Sequence, residues 1–154
     1  MIELARILSP EAVLPSLKAH SKKHVIQEIA TRAAQVSGLP EREVFDTLLQ
    51  RERLGSTGIG NGVAIPHGKL VTLDGIFGVF ARLDKPIDFE ALDDKPVDLV
   101  FALFAPEGAG ADHLKALAKV ARVLRAPEVA ERLRASEDRD EIREILVEYV
   151  PTEA

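Results

Sequence analysis

The chain is expected to adopt an α/β fold, a single three-layer α/β/α domain over residues 1–154 in which helices flank a short mixed β-sheet. Three observations carry that expectation. Apolar runs with helical spacing alternate with short β-rich runs along the chain, and no linker, internal repeat or low-complexity tract separates them. Proline and glycine mark the boundaries between the runs instead of gathering in one place. The composition, 46% hydrophobic and 29% charged over 154 residues, suits one domain with a sizeable core.

The elements follow in order. Between Lys22 and Val36 the residues Val25, Ile26, Ile29, Ala30 and Ala33 recur at helical spacing, with Ser21 placed as N-cap and Gly38 as the stop. A second helix from Pro40 turns Val44, Phe45, Leu48 and Leu49 inward. Val63, Ala64 and Ile65 read as a short buried strand. Pro66 has a fixed φ and no N–H, so the chain is expected to leave the sheet there and hold His67 at its rim. Further strands are expected at about Ile76–Leu83 and Val97–Phe104, on either side of the turn-rich segment Asp84–Pro96 with its Lys85-Pro86 and Lys95-Pro96 steps. Pro106 to Gly110 read as a flexible loop. Helices are then expected from Asp112 to Leu124, with Leu114, Leu117, Ala118 and Ala121 on one face, from Pro127 to Leu133, and from Arg139 to Tyr149.

Charge and composition exclude several functions. A net charge of -5 and the lack of a basic stripe interleaved with aromatics argue against a nucleic-acid partner, and suit a basic protein surface instead. The longest apolar stretch, near Val97 to Ala105, is interrupted by Asp98 and falls well short of the roughly 20 residues that span a bilayer. With no positively charged signal-peptide start, a cytoplasmic location without membrane insertion is expected, and the absence of cysteine fits a reducing compartment.

The most informative stretch is Gly55 to Lys69, GSTGIGNGVAIPHGK. Glycines at 55, 58, 60 and 62 allow tight turns that direct successive N–H groups at one small volume suited to an anion, and Gly68 leaves room for another molecule beside the His67 imidazole. The plainer reading is a glycine-rich turn before a strand with a polar residue at its exit. A P-loop would need glycine where Val63 stands, and the dinucleotide pattern begun by Gly58 and Gly60 breaks at the same residue. There is no G-x-S-x-G elbow, no H-E-x-x-H helix and no cysteine, which leaves His67 as the candidate nucleophile. His20 and His24 have metal-ligand spacing, but with Ser21 as the cap His20 lies outside the helix, so both read as surface residues and no metal site is expected.

Three runs carry a resemblance to a known family: RERLGSTGIGNGVAIPHGK from Arg51 to Lys69, the SKK helix start at Ser21 to Lys23, and DHLKALAKVARVL from Asp112 to Leu124. Together they resemble the IIA components of the bacterial phosphotransferase system, of the fructose and mannitol type and most closely the nitrogen-regulatory branch. The resemblance implies that His67 is phosphorylated on Nε2 by a small phosphohistidine carrier protein of the HPr or NPr kind. It also implies that Arg51, sixteen positions earlier, and His113 line the same site. It implies no cofactor, and downstream partners such as potassium-transport or sensor-kinase components that distinguish the phosphorylated from the free form.

Elementary chemistry agrees with these roles. Imidazole, with an unperturbed pKa of about 6.5, is nucleophilic near neutrality without a strong base, and its low basicity also makes it a good leaving group. The planar fork of Arg51 suits phosphoryl oxygens on which negative charge develops, and no Mg²⁺ is demanded because no polyphosphate leaves. Asp112 is expected to cap its helix and place His113 in the first turn, where the dipole favours neutral imidazole; from there His113 would hydrogen-bond His67 or its phosphate and fix the tautomer. The competing reading of Arg51, Glu52 and Arg53 is an ordinary solvated helix end, and that of His113 a polar residue on an exposed turn. Three other functions stay open: a sugar-transport IIA component that donates to a IIB protein, a non-catalytic binding module, and a metal-dependent hydrolase with His67 and His113 as ligands.

Overall fold

The computed structural model describes residues 3–149. Its centre is a mixed six-stranded sheet of order β1-β5-β6-β3-β2, with β4 also paired to β6; the strands are β1 Val13–Leu17, β2 Gly58–Gly60, β3 Val63–Ala64, β4 His67–Leu70, β5 Phe77–Ile87 and β6 Val97–Pro106. The middle strand β6 is antiparallel to β5 and parallel to β3 and β4. Leu99 to Ala105 are buried at every successive position, and since neighbouring side chains in a strand point to opposite faces, both faces of the sheet are covered by helices. This is the expected α/β architecture.

The helices are α1 Leu4–Ile7, α2 Lys22–Ser37, α3 Glu41–Leu54, α4 Gly110–Arg125, α5 Pro127–Arg134 and α6 Arg139–Glu148. For α2 the sequence signals hold: the Ser21 hydroxyl accepts the His24 N–H at 3.1 Å, and Gly38 closes the helix at φ 80. In α3, Glu41 and Glu43 lie in the first turn and Arg51 and Arg53 in the last, each complementing the dipole. Its buried stripe is Val44, Leu48 and Glu52, with Phe45 and Leu49 only half-buried.

Several expectations need correcting. Ahead of Lys22, where the sequence marks no element, β1 forms as an edge strand parallel to β5; Pro15 is tolerated there because an edge strand leaves one row of N–H groups unpaired and the register shifts between Leu14 and Leu17. β5 runs on through Lys85-Pro86 instead of turning at Asp84, with Pro86 carried in an irregular stretch between the pairs Arg82↔Leu99 and Ile87↔Val97. Pro106 does not open a loose loop. A 3-10 turn at Glu107–Ala109 leads directly into α4, whose N-cap is Ala109, so Asp112 lies inside the first turn and caps nothing. The core-facing stripe of α4 is His113, Ala116, Val120, Val123 and Leu124, while Leu114 is 69% exposed and Ala118 is also exposed. Two adjacent apolar stripes exist on this helix, and periodicity alone does not say which meets the sheet.

Candidate functional site

Pro66 interrupts the strand at the sheet's middle but does not release the chain. β3 pairs Val63 with Leu99 and Ala64 with Val100, the Pro66 carbonyl accepts Leu103 N–H at 2.9 Å, and β4 resumes the parallel ladder at once with His67 opposite Leu103. His67 is therefore the first residue of a strand, not a residue on a departing rim. The ladder with β6 fixes its backbone from one side, and Gly68 beside it is needed for packing against α3: a Cβ there would stand 2.5 Å from Thr47 Cγ2. Gly68 and Thr47 both line the cleft that holds the imidazole.

Three segments bring the expected residues together. Arg51, on the last turn of α3, donates from Nε to His67 Nε2 at 3.2 Å and from Nη1 to the Gly55 carbonyl at 3.0 Å. The Ile65 carbonyl lies 2.8 Å from His67 Nδ1. A carbonyl can only accept, so Nδ1 carries the ring hydrogen and the Nε2 lone pair faces the guanidinium. His113, on the first turns of α4, meets His67 edge to face with ring centroids 5.7 Å apart and is 5% exposed. Its Nε2 is buried without a hydrogen-bond partner among the described residues. The tautomer of His67 is accordingly set by Ile65 and not by His113.

Both imidazoles are held below the ordinary histidine value. For His67 burial is the chief cause, opposed by the bond to Ile65, with Arg51 lowering the pKa further and Glu52 raising it. For His113 burial again leads, followed by His67 and Lys69. The two rings share a cleft of about 650 Å³ with Arg51 and Lys69, walled by Leu54, Leu114 and Leu117. A neutral nucleophilic nitrogen, a guanidinium in contact with it, a buried ring nitrogen and a nearby ammonium form a set suited to an anionic group delivered to His67.

The glycine-dense run is not an anion cradle. β2 and β3 form an antiparallel hairpin, Gly60, Asn61 and Gly62 take positive φ at its turn, and the Asn61 N–H goes to Asp93 Oδ2 at 3.0 Å. The plainer reading, a glycine-rich turn, describes it. Sequence reasoning also missed Glu52, which is 6% exposed and not part of a solvated helix end. Its spacing from Val44 and Leu48 on the same stripe was the signal available. His20 and His24 have rings 5.8 Å apart, but His24 Nδ1 accepts from the His20 backbone, and no group of three or more potential metal-ligating residues occurs among the described residues. No helix among them is long and apolar enough to cross a membrane.

Residues 6–149 match the family model for the phosphoenolpyruvate-dependent sugar phosphotransferase system, EIIA 2. A protein named nitrogen regulatory protein from Bradyrhizobium diazoefficiens is 61% identical over 140 residues, covering 91% of this chain and 92% of that protein. Among solved structures, the nitrogen regulatory protein IIA-Ntr of Neisseria meningitidis superimposes with a TM-score of 0.87 at 38% identity, covering 92% of this chain and 97% of that one. The mannitol IIA of Escherichia coli gives 0.75 at 26% identity, covering 90% and 97%.

Proposed function

The chain belongs to the EIIA 2 family of the phosphotransferase system, and from that membership we propose that it is a phosphoryl carrier of the nitrogen-regulatory kind, charged on Nε2 of His67. The observation that carries the assignment is the bond between His67 Nδ1 and the Ile65 carbonyl at 2.8 Å, which leaves Nε2 as the nitrogen with a free lone pair. Transfer forms the Nε2–P bond as the P–N bond of a donor phosphohistidine breaks, the electron pair of that bond returning to the donor imidazole. His67 keeps its Nδ1 proton throughout, so no general base is required. Arg51 turns from Nε2 to the phosphoryl oxygens, and His113 donates to the same oxygens from its Nε2, which has no partner among the described residues.

Two features favour a protein donor. Leu54 and Leu114, 84% and 69% exposed, border the cleft and offer apolar contact to a docking surface. The cleft between them is open to solvent and not an enclosed cavity. Once phosphorylated, the site gains about two negative charges, enough to turn away one partner by like-charge repulsion or to create an arginine-binding handle for another. The 61% identity to a nitrogen regulatory protein, against 26% to a mannitol IIA, favours this regulatory readout over sugar delivery to a IIB protein.

Incubation of wild type and His67→Ala with a phosphoenolpyruvate-driven relay, followed by intact mass and phosphohistidine analysis, tests the proposal. One acid-labile phosphate on wild type and none on the variant is the expected result. A wild type left uncharged by a relay that charges another IIA protein would overturn carrier chemistry in favour of a binding module.

A further inference from the structure

Behind the cleft, a partly buried ion pair connects to the reactive histidine through a run of hydrogen bonds. Lys22 Nζ lies 2.7 Å from Glu52 Oε2, with side-chain exposures of 18% and 3%, and stands 5.2 Å from the centroid of the Phe89 ring. Glu52 receives the Thr57 hydroxyl and, at 3.2 Å, the Thr57 backbone N–H. Thr57 is itself buried. Its carbonyl accepts the Ile65 N–H at 3.0 Å, and the Ile65 carbonyl on the far side of that residue accepts Nδ1–H of His67.

We propose that Glu52, paired with Lys22, is a positioning element for His67: by holding Thr57, whose carbonyl takes the Ile65 N–H, it fixes the residue whose own carbonyl keeps the imidazole in the Nδ1–H form with Nε2 open. This rests on the reading of His67 Nε2 as the phosphoryl acceptor, and it gives Lys22 of the SKK run a role that the cleft residues leave unassigned. A buried ion pair adds little to stability over apolar residues of the same volume, so stability alone does not account for it. Its effect on orientation is different in kind. Both hydrogens that Thr57 has to give end on one carboxylate, and bonds to an ionised acceptor are about twice as strong as neutral ones, so the Thr57 to Ile65 connection is anchored at its far end. Ile65 lies between β3 and β4, where its N–H is taken by the Thr57 carbonyl. Glu52 touches no reacting atom; it acts through Ile65.

The test reads the tautomer and the rate separately. In ¹⁵N-histidine spectra recorded above the titration of both cleft histidines, wild-type His67 is expected as one Nδ1–H tautomer. Glu52→Ala should bring the Nε2–H tautomer to a comparable population and slow phosphoryl acceptance about tenfold at unchanged KM for the donor protein. The double variant Lys22→Met/Glu52→Gln leaves no unpaired charge in the interior, since Glu90, the other partner of Lys22 at 3.3 Å, is 75% exposed; it keeps its fold and should shift the tautomer in the same direction with a loss of about threefold. Lys22→Arg retains the pairing and should stay within about twofold of wild type. A folded Glu52→Ala or double variant with the wild-type tautomer ratio overturns the proposal, whatever its rate. If wild type accepts no phosphate, the carrier reading fails while the tautomer measurement still decides this one.

Discussion

The two histidines of the cleft sit in contrasting surroundings. His67 opens a strand, is half-buried, and has both ring nitrogens engaged, Nδ1 by the Ile65 carbonyl and Nε2 by Arg51. His113 projects from a helix, is nearly inaccessible, and leaves Nε2 without a partner among the described residues. A parallel ladder with β6 fixes the backbone of the first, whereas the second depends on the seating of α4. The difference separates roles that two imidazoles in one pocket do not reveal by proximity alone. On the proposed reading, His67 is oriented before a phosphoryl group arrives, and His113 has capacity left to bind it.

If that contrast is right, losing either ring should not have the same consequence. His67→Ala removes the acceptor and all phosphate, whereas His113→Ala should leave the site chargeable and slow acceptance by about a hundredfold, near the loss seen for one oxyanion donor. Stopped-flow charging by the donor protein measures it, and equal, complete loss in both variants would break the distinction. Arg51→Lys keeps the charge but loses the fork that spans Nε2 and the Gly55 carbonyl, with an expected loss of about tenfold. A wild-type rate for that variant would show that charge alone matters at this position.

Smaller effects sharpen the structural half of the contrast. Gly68→Ala drives a methyl group into Thr47 and should cost about 1–3 kcal/mol in urea unfolding, while Thr47→Ser in the same chain removes the opposing Cγ2 and restores most of it. Full cost in the double variant would place the clash elsewhere. The smallest effect concerns pH. Both histidines titrate below their ordinary value of 6.5 in the folded chain, so the unfolded chain takes up protons first as pH falls. Stability should therefore decline on acidification from about pH 7, and level off in this respect once the folded pKa values are passed. In His67→Asn/His113→Asn this part of the slope should vanish. Charging by the donor should persist below pH 6.5, where a free histidine is already largely protonated, because Nε2 of His67 stays neutral.

Much of the site was readable because the residues that make it up are chemically distinctive. His67 stood out when phosphate, thiol, serine and metal motifs failed around it, and Arg51 and His113 followed from the resemblance of the surrounding runs. The helices were readable for a related reason: capping at Ser21, the stop at Gly38 and apolar spacing are local signals, and local signals survive into the fold. What the local signals missed has a common cause. β1 and the continuation of β5 past Pro86 exist because neighbouring strands supply hydrogen-bond partners, which a proline in isolation argues against. The glycines at 58 to 62 looked like a cradle, but Asp93, more than thirty residues on, takes the Asn61 N–H and makes the run a hairpin turn.

The sequence by itself thus determined the α/β class, both ends of α2 and His67 as the candidate nucleophile, since these are written in residue type and short-range spacing; Arg51 and His113 came through the resemblance of longer runs. Only the tertiary structure decided which stripe of α4 faces the sheet, that Glu52 is buried against Lys22 and Thr57, and that a backbone carbonyl at Ile65 selects the nitrogen that points into the cleft. Those outcomes turn on contacts between segments far apart in the chain, and on main-chain groups that every residue carries alike. Residue type cannot announce them.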